Sequence, residues 1–298
     1  MEKLETCLCC GGNDFRPYLK AKDNYSTEYF DIAQCSACGF IFTNPRPDAA
    51  EIGKYYSYDT YISHTSHKKG LVESIYRLAR NYMKGKKLGL IQGIVGKQNG
   101  FSLLDFGCGT GDFLGYVKQQ QILAEGVEPE AQAREVARQI NKVDTYSTEQ
   151  SASIEKGKFD VITLWHVLEH IHELHVQIDY FNQWLKPNGK LIIAVPNIES
   201  YDAKKYGKYW DAIDVPRHIY HFSPKNIRQI VEQHHFRFLE QHPLLLDAYY
   251  VSMRSEWHKG THRLLAYVKA IFIGFISNQA ANKDGNYSSL IYVFEKTA

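Results

Sequence analysis

The stretch LLDFGCGTGDFLGYV, residues 103–117, sets three glycines at alternating positions directly after an apolar run. Glycine tolerates left-handed backbone and lets a ligand approach the chain closely. The neighbouring residues narrow what approaches. A triphosphate loop needs Gly-Lys-Ser/Thr, whereas Gly109-Thr110-Gly111-Asp112 stands here. A dinucleotide fingerprint needs three glycines spaced G-x-G-x-x-G; Gly107 and Gly109 fit, but Asp112 fills the third place. Asp105, at the end of the run, and Asp112 would repel a pyrophosphate and attract a cation.

The chain around this turn alternates apolar strands with helices. Strands are expected at 101–107, 124–130, 159–167, 189–197 and 288–296, and helices at 110–120, 131–140, 175–185 and 225–235. Such alternation predicts an α/β, Rossmann-like, doubly wound and mainly parallel sheet of seven strands, covered on both faces. Ligands bind such sheets at the carboxyl ends of the strands, where the glycine turn falls. Glu128 follows 23 residues after Asp105, at the end of the second strand. There a carboxylate can accept two hydrogen bonds from a ribose diol. The expected ligand is nucleoside-like, positively charged and free of phosphates. S-adenosylmethionine (SAM) combines an adenosine, a sulfonium and an ammonium, and so meets each requirement.

LLDFGCGTGDFL, GVEPE, FDVITLWHVLEHI and LKPNGKLIIAVPN, in that order, resemble the motifs of class I SAM-dependent methyltransferases over roughly residues 95–240. The resemblance implies a cofactor loop of Asp105, Gly107, Cys108, Gly109 and Gly111, with Asp105 near the methionine ammonium. It implies Glu128 as the ribose acid, Trp165 and His166 flanking cofactor and substrate, and Ser147 and Thr148 near the adenine.

HVLEH, residues 166–170, has a rival meaning, because H-x-x-E-H is an inverted zinc-peptidase motif for which Glu232 is an imaginable third ligand. Inside an otherwise complete methyltransferase order, His170 reads instead as a general base or as a structural histidine. Glu169 would orient it or hold a metal. PRHIYHFSP, residues 216–224, hangs over the same carboxyl edge with Arg217, His218 and His221. Arg217 can fork onto a substrate phosphate or carboxylate, and either histidine can serve as base; the alternative is a loop tied down by these side chains. Upstream, the aromatic-rich stretch 55–64 reads as a lid on the cofactor pocket or as packing.

Five of the six cysteines lie in the first forty residues. Cys7-x2-Cys10 and Cys35-x2-Cys38, separated by 24 residues, have the spacing of a closed, structural four-thiolate zinc site, with Cys9 to spare. Gly11 and Gly39 follow the pairs and permit tight turns with backbone N–H groups aimed at sulfur. Residues 1–47 are therefore expected to form a zinc-ribbon-like unit, with short strands in YFDIAQC and GFIFTNP. Residues 48–98 then supply linking helices and the lid, and 99–298 the main domain with a helical insertion about 250–285. A paired-cysteine unit before such a domain, and the segment DVPRHIYHFS (214–223), resemble sugar C-methyltransferases and related polysaccharide-cluster enzymes. That resemblance implies a nucleotide-sugar or related small anionic acceptor.

Whole-chain properties bound the partners. The net charge is +2 over 298 residues, and residues 1–47 carry five Lys/Arg against six Asp/Glu. This disfavours a polyanion, although a zinc-ribbon RNA methyltransferase stays the alternative enzyme. A quinone or lipid-type O-methyltransferase is a further alternative, and a non-catalytic binding module is another class. MEKLETCLCC lacks the apolar core of a signal peptide, which gives an expectation of cytoplasmic residence. The segment 264–276 has large apolar residues at helical spacing and is too short, with Lys269 inside it, for a transmembrane span. It reads as a helix packed on the core, or as a face for a membrane surface or lipid substrate. The basic amphipathic segment 71–95 reads as a linking helix laid on the domain.

Overall fold

The computed structural model describes residues 1–56 and 71–297, without the side chains of 71–80. The expected lid stretch beyond Tyr56, and the apolar positions 71–79 of the linking helix, therefore lie outside the described side chains. Strands β1 (Phe15–Lys22), β2 (Tyr29–Cys35) and β3 (Ile41–Thr43) open the chain. Helix α1 (Leu71–Val95) leads to β4 (Ser102–Phe106), α2 (Asp112–Lys118), β5 (Leu123–Val127), α3 (Ala131–Gln139) and β6 (Asp144–Tyr146). Then come α4 (Thr148–Ser151), β7 (Phe159–Trp165), α5 (Leu174–Trp184), β8 (Leu185–Pro196), α6 (Tyr201–Tyr206), β9 (Tyr220–His221) and α7 (Pro224–Glu232). The chain closes with β10 (Phe236–Pro243), α8 (Asp247–His258), α9 (Arg263–Asp284) and β11 (Ser289–Lys296).

Seven strands form one sheet in the order β10-β11-β8-β7-β4-β5-β6, all running the same way except β11, which is antiparallel to both its neighbours β10 and β8. The expected α/β architecture is present. Strand order reverses between β4 and β7, so the carboxyl ends of β4, β5 and β7 form the crevice where ligands bind in such sheets. Leu103, Leu104, Val161, Ile162, Leu164 and Ile192 are wholly buried, as expected for strands covered on both faces. α5 places Leu174, Ile178, Phe181 and Trp184 at helical spacing against them. Each of these side chains is worth about 1.5–3 kcal/mol when fully buried. α7 starts where the sequence supplies a cap: the Ser223 hydroxyl accepts the Asn226 N–H at 3.2 Å and Pro224 sits at the first helical position.

The cysteine-bearing unit is fused to this domain. Its sheet runs β1-β2-β3-β9, so the fourth strand comes from the segment after β8. Phe40 packs on Phe222 and Tyr220, and one apolar core runs from Cys7, Cys9 and Cys35 through Phe42 to Leu164 and Ile193. Asn226 of α7 donates to the Cys38 carbonyl at 3.3 Å, Gln233 to the Cys9 carbonyl at 2.9 Å, and His175 of α5 bonds the Leu8 carbonyl at 2.8 Å.

Helix α9 inverts one expectation. Its buried side consists of small residues, Ala266, Ala270, Gly274, Ser277 and Ala281, together with Ile273. Ser277 donates to the buried Asp202 at 2.8 Å. The large residues Leu264, Leu265, Val268, Ile271, Phe272 and Phe275 are exposed, by 50–72%. The reading of that apolar face as packed on the core is therefore corrected: small residues let α9 lie close to α8, which turns the large ones outward. Among the described residues, α9 is the one helix long and apolar enough to cross a membrane by length and composition.

Candidate active site

At the carboxyl end of β4 the chain turns through Gly107, Gly109 and Gly111 with φ of +77°, +54° and +71°. Two of these glycines are also forced by space. A Cβ on Gly107 would meet Val167 at 2.5 Å, and one on Gly111 would meet Ala137 at 2.9 Å. The turn is thus pressed against β7's exit on one side and α3 on the other. Glu128, at the end of β5, lies beneath it. Its carboxylate accepts the Gly109 N–H at 2.8 Å and the Glu130 N–H at 3.0 Å. Each oxygen keeps a lone pair for a further donor. Cys108 fits under the turn against Gly126, and burial, with Asp105 and Glu128 nearby, pushes its thiol pKa up, so it is a neutral packing group.

Asp105 is 3% exposed and accepts the Thr163 hydroxyl at 2.6 Å. Burial pushes its carboxyl up to about 6, opposed by the Thr163 donation and the Lys87 ammonium and aided by the Glu128 charge. Lys87, on α1, lies 4.2 Å from the centre of the Trp165 ring. Burial lowers its pKa while Asp105 and Asp247 oppose that effect. In sequence Lys87 carries no mark of this role, because a lysine on a basic amphipathic helix looks like part of a solvated face. Trp165 packs edge-on to Phe113, and its buried indole N–H has no partner among the described residues. Ser147 caps α4, taking the Gln150 N–H at 3.2 Å and donating to Glu149 at 2.6 Å, and Thr148 begins that helix. Its hydroxyl is thus already committed.

Beyond β7, His166 takes φ of +58° and its N–H still bonds the Ala194 carbonyl at 2.9 Å. His166 Nε2 lies 3.2 Å from Asp247, and its Nδ1 lies 3.7 Å from Glu169. Burial opposes protonation, but these two carboxylates raise its pKa. A single short turn follows, Leu168–His170. His166 and His170 therefore do not share a helix face, as the peptidase motif requires. Glu232 on α7 accepts the Phe238 N–H at 3.2 Å and is no part of this cluster.

The 214–221 loop folds back over the turn. Ile219 N–H bonds the Glu169 carbonyl at 2.9 Å. His170 and His218 stand edge to face with ring centres 4.6 Å apart. Burial, reinforced by His218, holds His170 down at about 4. His221 lies in β9, 3.4 Å from the Thr43 hydroxyl, and burial holds it at about 3; it is a buried sheet residue rather than a base. Arg217 corrects a second expectation. It is fully buried, bound to Asp214 at 2.6 Å, Asp23 at 2.7 Å and the Tyr55 carbonyl at 3.1 Å. Its charge ties the site loop to the N-terminal unit, not to a substrate.

In the N-terminal unit the four expected thiols converge. Cys7 and Cys38 sulfurs lie 3.6 Å apart, as do those of Cys10 and Cys35, and all four lie within 4.8 Å of one another. Four thiolates about 2.3 Å from one zinc would stand roughly 3.8 Å apart. Gly11 and Gly39, with φ of +74° and +79°, make the matching turns. Against the effect of burial, the backbone N–H groups of Cys38 and Ala37 favour the Cys35 thiolate and hold its pKa down at about 7, which suits a metal-bound sulfur. Cys9 is turned away, its sulfur facing the Asn226 amide at 3.6 Å. The donor set and geometry fit zinc.

Two open clefts of about 770 and 670 Å³ lie elsewhere, one between α7 and the Asp284–Asn286 corner, the other at Asn81, Asp112 and Asn141. Neither contains Asp105, Glu128 or Glu169.

Residues 71–241 match the model of a family described as a methyltransferase domain. A curated protein of Alkaliphilus oremlandii, named an uncharacterized methyltransferase, is 31% identical over 116 residues, 37% of this chain and 51% of its own length. The chain thus matches about half the length of that relative. Magnesium protoporphyrin IX methyltransferase from Synechocystis PCC 6803, solved with S-adenosylhomocysteine (SAH) bound, superposes with a TM-score of 0.53 at 14% identity. The superposition covers 84% of this chain and all of that one. At such identity the likeness is one of fold.

Proposed function

The chain belongs to the methyltransferase-domain family, and on that premise we propose that it is a SAM-dependent enzyme that methylates a small, oxygen-bearing molecule of the nucleotide-sugar or related surface-polysaccharide-precursor class. The observation that carries the reading is the seating of Val167 on Gly107. It sets the Glu169–His170–His218 cluster immediately beside the turn that would hold the cofactor. The residues fit SAM: three left-handed glycines for close backbone approach, Glu128 lone pairs for the ribose diol, and Asp105 for the ammonium. SAM brings both the methyl group and its own leaving group.

The protein's part is then alignment of the acceptor, and removal of its proton where the acceptor is a hydroxyl. His170 supplies an imidazole edge there that burial holds neutral, with the His218 ring and the Glu169 carboxylate beside it. A small acceptor is favoured because the cysteine unit is docked through α5 and α7 and carries no basic surplus for gripping RNA. The nucleotide-sugar class rests on the resemblance of that unit and of the 214–223 loop to sugar C-methyltransferases, now without support from Arg217. In the same reading one zinc on Cys7, Cys10, Cys35 and Cys38 holds the unit's two turns together. The exposed apolar face of α9 favours one second reading, a quinone or lipid-type acceptor met at a membrane surface.

Methyl-labelled SAM, offered with separate pools of nucleotide-sugars, quinone-like acceptors and RNA, tests the assignment. Label in the nucleotide-sugar pool is expected. Label in the quinone-like pool would replace the first reading by the second, and label in RNA would contradict both.

A further inference from the structure

We propose that Glu169, His170 and His218 form a binding site for one divalent first-row transition cation, separate from the cysteine cluster. The three side chains bring one donor atom each to within 4.8 Å of one another. They come from two segments pinned together through backbone, by the Ile219 N–H on the Glu169 carbonyl. Both imidazoles commit the same nitrogen to a backbone carbonyl. His170 Nδ1 lies 2.9 Å from the Arg217 carbonyl oxygen, with the Tyr56 hydroxyl 3.0 Å away, and His218 Nδ1 lies 2.8 Å from the Ala212 carbonyl oxygen. Carbonyls demand an N–H, so each ring donates from Nδ1, which leaves Nε2 as the nitrogen whose lone pair a metal ion would take. This is the tautomer and the outer support that metal-bound histidines have.

Glu169 supplies an independent sign of a missing partner. Its residue is 1% exposed, and neither carboxylate oxygen has a hydrogen-bond partner among the described residues. The nearest nitrogens, His166 Nδ1 at 3.7 Å and His218 Nε2 at 3.9 Å, are beyond hydrogen-bond distance. His166 offsets part of its charge at 3.7 Å, but a buried carboxylate with neither oxygen hydrogen-bonded stays costly unless something else compensates it. A cation among Glu169 and two imidazole lone pairs does so. Ligands about 2.1 Å from one ion stand roughly 3.4 Å apart, so the cluster closes slightly around it.

Two nitrogens and one oxygen suit Mn²⁺, Fe²⁺ or Zn²⁺ better than Ca²⁺, while the four soft thiolates select zinc. Three protein ligands leave coordination positions open, and these fall beside the glycine turn. An oxygen of the acceptor is the ligand they would take, and with the ion bound the cation, in place of a histidine base, would make that oxygen acidic. Only this last point rests on the methyl-transfer reading.

The test titrates Mn²⁺ into the full-length, zinc-loaded protein and follows free Mn²⁺ by electron paramagnetic resonance. About one Mn²⁺ per chain is expected, with affinity lowered about 100-fold or more in Glu169→Gln, a change that preserves size and removes the charge. His218→Gln gives the same comparison should Glu169→Gln fold poorly, and retained SAH binding reports an intact fold in either. Uptake undiminished in both variants would overturn the site, as would wild-type protein taking up neither Mn²⁺ nor Zn²⁺ beyond its cysteine-bound equivalent. SAH binding without Mn²⁺ uptake removes the ion and leaves the methyltransferase reading; Mn²⁺ uptake without SAH binding does the reverse.

Discussion

The Glu128 carboxylate holds the Gly109 backbone N–H at 2.8 Å, joining the end of β5 to the middle of the glycine turn. One side chain thus shapes the turn and offers its remaining lone pairs upward to a ribose. Glu128→Ala removes both roles. A hydrogen bond to a charged group is worth about 1.5–3 kcal/mol, so SAH affinity measured by calorimetry should fall by roughly 10- to 150-fold. An unchanged heat signal would remove Glu128 from the ribose.

Asp105 gives the cofactor site a pH dependence with a defined sign. Its carboxyl is raised to about 6, chiefly by burial, with Thr163 from β7, Lys87 from α1 and Glu128 from β5 facing it. The cofactor ammonium pairs with the ionised form, so a proton must leave before binding. SAH affinity should therefore be flat above about pH 6 and weaken by up to roughly tenfold per pH unit below it. In Asp105→Asn the affinity should be weaker and the slope absent. A wild-type profile flat from pH 5 to 7 would show that Asp105 does not meet the ammonium.

Zinc on the cysteine cluster would separate four ligands from a bystander. Purified protein should carry about one zinc per chain. Cys35→Ser should lose it, and Cys9→Ser should keep it, because the Cys9 sulfur faces Asn226 instead. Since Cys38 and Cys9 carbonyls are bonded to α7, chelation should also lower the thermal midpoint of the whole protein. Zinc retained in Cys35→Ser, or lost in Cys9→Ser, would contradict the assignment.

Two helical glycines should respond to the same substitution with opposite signs. A Cβ on Gly274 of α9 would stand 2.6 Å from the Tyr249 ring, whereas one on Gly89 of α1 meets nothing within 4 Å. Gly274→Ala should cost about 1–3 kcal/mol through overpacking. Gly89→Ala should gain about 0.5–1 kcal/mol from helix propensity. Urea unfolding midpoints decide it, and a stabilised Gly274→Ala would mean that α9 does not lie so close to α8.

The sheet was legible because its strands are near-continuous apolar runs and its turn carries glycines that backbone geometry requires. β6 and β10 were not foreseen: DTY is three residues long, and FRFLEQHP is half exposed and broken by polar residues. The convergence of Cys7, Cys10, Cys35 and Cys38 was legible because two short-spaced pairs each turn both sulfurs to one side. Arg217 was legible only as one of two readings, since its partner Asp23 lies 194 residues away and only the folded chain brings them together. The α9 segment shows a further limit. Its periodicity defined a face of large apolar residues, but helical period does not say which face turns inward. Lys87 and Asp247 reach the site from helices whose own patterns carry no mark of it.

A crystal structure of the protein with SAH tests the central claim most directly. The ribose hydroxyls should lie within hydrogen-bond distance of Glu128, the amino group on the Asp105 side of the Gly107–Gly111 turn, and the sulfur toward Glu169, His170 and His218. SAH bound in the cleft beside α7, or with its ribose on any other carboxylate, would contradict the account.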